Sequence, residues 1–307
     1  MTVIARSREL RVGTRASRLA RTQTAIVCSQ LGRNAAERHV AERIVETAGD
    51  RDETTPLPEL GDKGIFSAEL EAGLRDGRID CAVHSLKDLP VDETPGLTIA
   101  AVTLREDPRD ALVSAAGWTL DRLPFGARLG TCSLRRSAQL LARRPDLAIL
   151  PLRGNVDTRV ERARRGEYDA IVIAAAGLRR LGLAATITEH LPLEELLPAP
   201  GQGALALQCR ADDPTTLELL ARLDDPDVRA ATTAERAFLA GLGGGCAAPI
   251  AAHGVVEGER LSLVGRVVRV DGARAITVRG SAPRAAAEAL GRSLAEDALR
   301  RGAEGLL

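Results

Sequence analysis

The sequence predicts an α/β protein with mostly parallel sheets, followed by a small α+β unit. Three observations lead there. Over the first two-thirds of the chain, short apolar runs alternate with segments of helical periodicity, the pattern of strands joined through helices that cover both faces of a sheet. In the last third the order changes to one helix, two or three strands and a closing helix. At 307 residues the chain has room for about two domains, or three if one is small.

In order, residues 9–13 (ELRVG) read as a strand and 17–31 as a helix. A second strand falls within 39–46, a helix near 67–75 and a strand at 79–85 (IDCAVHS). Further strands are expected at 147–152, 170–174 and 204–209, with helices near 133–144 and 156–165 between them. A helix near 228–242 then runs into GLGGGCAAP; strands follow at 250–258, 260–270 and 273–280, and a helix at 284–300. Residues 48–64 (AGDRDETTPLPELGDKG) stand apart as a charged, Pro-containing connection, long enough to suggest a lid or binding loop.

Composition narrows the function. The 42 basic and 42 acidic side chains cancel, so the chain is no polycation and nucleic acid is not an expected partner. Aromatic residues make up 2%, so cores must be built from Leu, Val, Ile and Ala. No apolar run approaches the roughly 20 residues of a membrane helix, and MTVIARSREL lacks a signal-peptide core. The five cysteines are widely spaced, form no CxxC pair and suit neither a disulfide framework nor a metal site. A cytoplasmic setting is expected.

Basic residues recur at strand-to-helix junctions. Arg15 precedes Ser17, a good N-cap, and Arg135 and Arg136 follow Ser133, another. Arg153 and Arg159 bracket a helix start at Asn155, and Lys87 follows a strand ending at His84. A cation in the first helical turn opposes the macrodipole. Such a placement makes sense where an anion is to be held, beyond the carboxyl ends of strands in an open sheet. With no glycine-rich phosphate loop, the expected ligand carries several carboxylates. The plainer alternative is solvated arginines paired with nearby Asp and Glu.

Two residues invite chemistry. Asp88 lies beside Lys87, and a neighbouring cation keeps a carboxylate ionised. Its oxygens can accept from two N–H groups, stabilise a cation and move a proton; a turn or surface ion pair is the alternative. Cys246 follows three glycines and precedes a small, apolar stretch, an uncrowded place for a covalent anchor. A small buried cysteine is the alternative there. Cys28, Cys81 and Cys209 fall in helix and strand patterns and read as structural.

The segments VGTRASRLA, GDKGIFSAELE, CAVHSLKDLP, REDPRDALVS, LGTCSLRRSAQL, PLRGNVDTRV, AAAGLRRLGL, PAPGQGALAL, TAERAFL and GGGCAAPI occur in this order, nearly end to end. Through them the chain resembles the porphobilinogen deaminase (hydroxymethylbilane synthase) family. That resemblance implies two α/β domains similar to periplasmic binding proteins around a cleft, plus a small C-terminal α+β domain. The expected limits are 1–103 with 204–221, then 104–203, then 222–307. It implies a transferase of tetrapyrrole biosynthesis carrying dipyrromethane, thioether-linked to Cys246. Asp88 would be catalytic. Arg15, Lys87, Arg135, Arg136, Arg153, Arg159 and Arg180 would hold carboxylates, Ser17, Ser85, Thr131 and Ser133 would add polar contacts, and Lys63, Phe66 and Gln202 would complete the site. Four porphobilinogen molecules would be condensed with loss of ammonia, and hydroxymethylbilane released by hydrolysis. A monomer that hands its product to the next pathway enzyme is expected.

The chain departs from the family pattern at Glu59 and Ala48, where relatives often carry Lys and Arg, and at Cys132, which replaces a serine. A glycine-rich GLGGGC also replaces a more acidic approach to the anchor cysteine. The rival reading is a non-catalytic, two-lobed polycarboxylate-binding protein, which would need the arginines but not Cys246. A cysteine acyltransferase is a weaker rival, because none of the four histidines pairs with Cys246 in a motif.

Overall fold

The computed structural model describes residues 9–34, 39–51, 66–92, 94–245 and 248–307. The first lobe begins with β1 (Leu10–Arg15), α1 (Arg18–Asn34), β2 (Val40–Val45), the short α2 (Ala48–Arg51), α3 (Ala68–Arg75), β3 (Cys81–Ser85) and β4 (Leu97–Thr103). The chain then crosses to a second lobe. There it forms β5 (Asp110–Val113), β6 (Arg128–Gly130), α4 (Leu134–Arg143), β7 (Ala148–Leu150), α5 (Val156–Arg164), β8 (Ala170–Ala174), α6 (Ala175–Arg180) and β9 (Glu189–His190). It returns to the first lobe for β10 (Leu205–Arg210) and α7 (Pro214–Ala221). A C-terminal unit follows: α8 (Pro226–Gly241), β11 (Ile250–Glu257), β12 (Arg260–Val268), β13 (Ala275–Pro283) and α9 (Ala287–Arg300).

The two lobes share one topology. Their strand orders are β2-β1-β3-β10-β4 and β7-β6-β8-β5-β9. In the first, β1 runs parallel to β2 and β3, while β10 runs antiparallel to both β3 and β4. The second repeats this, with β5 antiparallel to β8 and β9. Four strands of each sheet therefore point one way, as the alternating pattern implied. The reversed strand in each is the first one formed after a crossing, a long-range pairing that no local periodicity announces. Both faces of each sheet are covered. Val12, Val83 and Leu207 pack toward Val27 and Leu220, while Ala82 packs toward Leu70 and Leu74 on the other face.

The C-terminal unit is an antiparallel β11-β12-β13 sheet backed by α8 and α9. Its core is aliphatic apart from the fully buried Phe238. Among the expected elements the central strands and long helices stand within a few residues of their anticipated ends. Of the anticipated 48–64 connection, residues 48–51 are helical, and the rest, with Glu59, lies outside the described residues.

The crossings sit side by side. Glu106 N–H donates to the Gly203 carbonyl at 3.0 Å. Arg180, at the end of α6, donates to the carbonyls of Leu104 (2.8 Å) and Gly203 (2.7 Å), so one guanidinium clips both strands of the hinge. Leu104 adopts a left-handed φ of 53°, and Gly203 one of 91°.

Candidate active site

The cleft is built where parallel strands end and helices begin. On the first lobe, β1 ends at Arg15, whose guanidinium lies 4.1 Å from the centroid of the Phe66 ring, a cation–π contact that holds both near α1. Ser17 precedes α1 and accepts from Ala20 N–H at 3.3 Å, as its N-cap reading anticipated. Ser85 ends β3 and exchanges hydrogen bonds with the Gln23 side chain of α1. A 3₁₀ turn, Leu86–Asp88, follows directly. Leu86 is buried and its N–H donates to the Ala204 carbonyl at 3.0 Å, so this turn is pinned to the returning crossing. Pinning Leu86 sets the directions of Lys87 and Asp88, both half-buried. From below, Arg236 of α8 donates to the Leu89 and Pro90 carbonyls at 3.1 and 2.5 Å.

On the second lobe, Thr131 N–H donates to the Leu150 carbonyl at 2.9 Å, and its hydroxyl accepts from Ser133 N–H at 3.2 Å. Ser133 caps α4 by accepting from Arg136 N–H at 3.4 Å. Arg153 and Arg159 lie around the start of α5, and Arg159 Nε donates to the Gly154 carbonyl at 2.7 Å. Burial pushes Arg159 down to about 10, with Arg136 and Arg153 adding to the fall while Cys132 and Asp88 oppose it. Arg159 thus feels the field of Asp88 from the other lobe, beside those of Arg136 and Arg153 on its own. Cys132 is a half-buried free thiol within that field.

Arg135 and Arg136 differ from expectation. They are turned inward, 4% and 6% exposed, onto Asp110, which is fully buried at the start of β5. Asp110 accepts from Arg135 Nη1 at 2.8 Å and from Arg136 Nε and Nη2 at 3.0 and 2.8 Å. Burial alone would raise the Asp110 carboxyl; the two guanidiniums overcome it and hold the group well below the usual carboxylate range. Part of the anion that the helix-start arginines called for is therefore supplied by the chain itself. The Gln202 amide donates to Asp110 at 3.0 Å, and its oxygen accepts from Lys87 Nζ at 3.3 Å. Burial, opposed by Asp88, pushes Lys87 down to about 8.

Arg180 is likewise directed to the hinge carbonyls rather than into the open cleft. Lys63 and Cys246 lie outside the described residues. Cys81 and Cys209 are buried and Cys28 half-buried, and burial pushes the thiols of Cys28 and Cys209 up to about 11, as structural cysteines behave. Residues that sequence reasoning missed are Asp110 and Gln139, which hold the arginines, and Glu235 and Arg236, which hold the hinge and the Asp88 turn. The available signal was a charge inside the short apolar run DALV and the polar pair in TAERAFL. Among the described residues no helix is long and apolar enough to cross a membrane, and no group of three metal-ligating side chains occurs.

Among solved structures, the methionine binding protein MetQ aligns with 70% of this chain and 89% of its own, at 15% identity and a TM-score of 0.45. That likeness carries no argument about ligand or chemistry. Curated porphobilinogen deaminases are far nearer in sequence. Those of Roseiflexus castenholzii and Syntrophotalea carbinolica are each 51% identical, covering 97% and 98% of this chain and 98% and 96% of their own. The Acidothermus cellulolyticus protein is 48% identical, covering 100% of this chain and 93% of its own. The family model for the porphobilinogen deaminase dipyrromethane cofactor binding domain matches residues 10–218, which hold the cleft, and that for the C-terminal domain matches 230–300. On that nearly full-length agreement, the chain belongs to the porphobilinogen deaminase family.

Proposed function

We propose that this chain is a hydroxymethylbilane synthase: it condenses four porphobilinogen molecules in succession, with loss of ammonia, onto a dipyrromethane held at Cys246, and releases hydroxymethylbilane by hydrolysis. The observation that carries the assignment of roles is the placement of Lys87 and Asp88 on a turn pinned at Leu86 to the returning crossing, with Lys87 tied through Gln202 to Asp110 of the other lobe. The residues fit the cofactor and its substrate. Carboxylate side chains suit Arg15, Lys87, Arg153 and Arg159, with Ser17, Ser85, Thr131 and Ser133 as polar neighbours and Phe66 ordering Arg15. Dipyrromethane, when bound, supplies carboxylates for these cations and a nucleophilic carbon.

Asp88 stands where a carboxylate accepts from pyrrole N–H groups and stabilises the positive charge that develops on the substrate as ammonia departs. Lys87, fixed by Gln202, holds a substrate carboxylate beside Asp88. Arg135 and Arg136 act chiefly through Asp110, keeping the floor of the cleft positive and rigid. Arg180 sets the hinge. The cleft is divided between units 1–103 with 204–221 and 104–203, with 222–307 presenting the anchor. We also propose a monomer in the cytoplasm, passing its product to the next pathway enzyme. No observation favours the alternative of a non-catalytic polycarboxylate binder.

Intact-mass measurement of purified protein tests the reading. The expected result is an excess of two pyrrole units, absent from Cys246→Ala. An unmodified thiol after incubation with porphobilinogen overturns it. Asp88→Ala is expected to keep the fold and lose at least about 100-fold in kcat, the scale of a lost charge-stabilising group. Normal turnover would remove Asp88 from the mechanism.

A further inference from the structure

A polar chain runs from the C-terminal unit into the cleft. Arg266, on β12, donates from Nη1 to the Gln139 side-chain oxygen at 3.0 Å and to the Glu195 carbonyl at 3.0 Å. Its Nη2 donates to the Glu194 carbonyl at 2.8 Å, and its Nε to the Thr277 hydroxyl at 3.2 Å. Gln139, buried on α4, in turn donates to the carbonyls of Arg135 (3.2 Å) and Leu197 (3.0 Å) and accepts from Leu197 N–H (3.0 Å). The Leu197 carbonyl also accepts from the Arg135 guanidinium at 2.7 Å. Beyond Arg135 lie Asp110, Gln202 and Lys87.

A second contact lies beside the first. The turn after β12 passes so close to α4 that a Cβ on Gly272 would meet Ala142 N at 2.4 Å and the Leu141 carbonyl carbon at 2.7 Å. Gly272 also needs its φ of 77°. Hairpin tip and guanidinium therefore brace the same helix, the one whose first turn carries Ser133, Arg135 and Arg136.

We propose that Arg266 is a positioning residue for the condensation: it sets α4 from the C-terminal unit and, through Gln139, Arg135 and Asp110, keeps Ser133 and Lys87 in register with the substrate carboxylates. Its four donors satisfy acceptors on α4, on the 194–195 segment and on β13, so each side chain in the series has its direction fixed by the next. A rigid outer shell of this kind acts on binding geometry rather than on bond-making. This proposal rests on the reading that the first turn of α4 lines the substrate cleft.

Holoenzyme carrying Arg266→Ala tests it in steady-state turnover of porphobilinogen. The expected result is a KM raised about fivefold with kcat within about twofold, the signature of lost ground-state positioning. Gly272→Ala, which pushes the hairpin off α4, is expected to give the same split, and Arg266→Lys an intermediate KM. Arg269→Ala, on the same hairpin but paired only locally with Asp271, is expected to leave both constants unchanged. An unchanged KM in Arg266→Ala overturns the proposal, as does an equal rise in Arg269→Ala. If Arg266→Ala fails to fold, Arg266→Lys and Gly272→Ala carry the comparison. Arg136→Leu serves as the reference. If it loses dipyrromethane by intact mass while Arg266→Ala has normal KM, this inference alone fails; if Arg136→Leu is normal, the cleft reading fails with it.

Discussion

Gln202 donates its side-chain amide to the Asp110 carboxylate at 3.0 Å, joining the segment that leaves the second lobe to the strand that enters it. Asp110 also bears both α4 arginines, so one buried carboxylate fixes the hinge, the helix start and, through Gln202, Lys87.

Removing that charge strands two guanidiniums in the interior. Asp110→Asn is expected to cost about 3–5 kcal/mol, the range for breaking a buried ion pair from one side, and to lower the thermal midpoint and the dipyrromethane content together. The pH dependence has a definite sign. The folded carboxyl titrates below its unfolded value of about 3.9, so its stabilisation is present above that pH and is lost as pH falls through the folded value. Asp110→Asn should therefore be less stable at neutral pH and show a shallower acid limb below about pH 4. Equal midpoints for the two proteins at pH 7 would contradict this.

This carboxylate also marks what the sequence conveyed and what it withheld. Ser133 was legible as an N-cap because capping is local, and β8 because five consecutive apolar residues admit little else. The strand β5 has four residues, β6 three and β9 two, too few to show a period. That β5 and β10 reverse direction follows from which lobe each joins, a pairing across tens of residues. Arg135 and Arg136 were legible as a cationic pair at a helix start, but their partner lies 25 and 26 positions away. Side-chain direction, inward to Asp110 instead of outward to the cleft, is decided by tertiary packing alone.

Lys87 is expected to give the free enzyme an alkaline limb. Burial lowers its ammonium to about 8, against about 10.4 in an unfolded chain. Above about 8 the cleft loses a cation, so kcat/KM for the carboxylate-bearing substrate is expected to fall with a midpoint near that value. Lys87→Gln should have a lower kcat/KM at pH 7 and lack this limb. For stability the sign is opposite: the unfolded chain binds the extra proton between about 8 and 10.4, so folding gains as pH rises through that window. A variant that retains the same alkaline midpoint would assign the limb to another group.

Gly203 sits where the two crossings touch. A Cβ there would lie 2.2 Å from the Glu106 carbonyl oxygen, and the φ of 91° is one that L side chains rarely adopt. Backbone strain of this kind costs about 1–3 kcal/mol before the clash is counted. Gly203→Ala is expected to part the crossings, loosen Arg180 from its two carbonyls and reduce turnover as well as the thermal midpoint. The same substitution at Gly117, also left-handed but with no atom within 4 Å of its Cβ, should show only the strain and leave kcat/KM unchanged. Matching losses of kcat/KM at the two positions would mean that the hinge contact carries no functional weight.

Glu235 ties the C-terminal unit to the same hinge. It is fully buried on α8, accepts from the Gly201 and Gly254 N–H groups at 2.7 Å each, and pairs with Arg105 at 2.8 Å. His253 lies 3.8 Å away, and burial lowers its imidazole below the ordinary value, which favours the uncharged ring beside the Arg105–Glu235 pair. Glu235→Ala is expected to cost about 3–5 kcal/mol, because it leaves a buried guanidinium uncompensated and two N–H groups unmet. Most of that cost belongs to the orphaned charge. Adding Arg105→Ala should therefore recover part of the loss, so that the double variant unfolds at a higher temperature than Glu235→Ala alone. Strict additivity of the two single losses would show instead that the lost backbone bonds and packing, and not the buried ion pair, hold the C-terminal unit against the hinge.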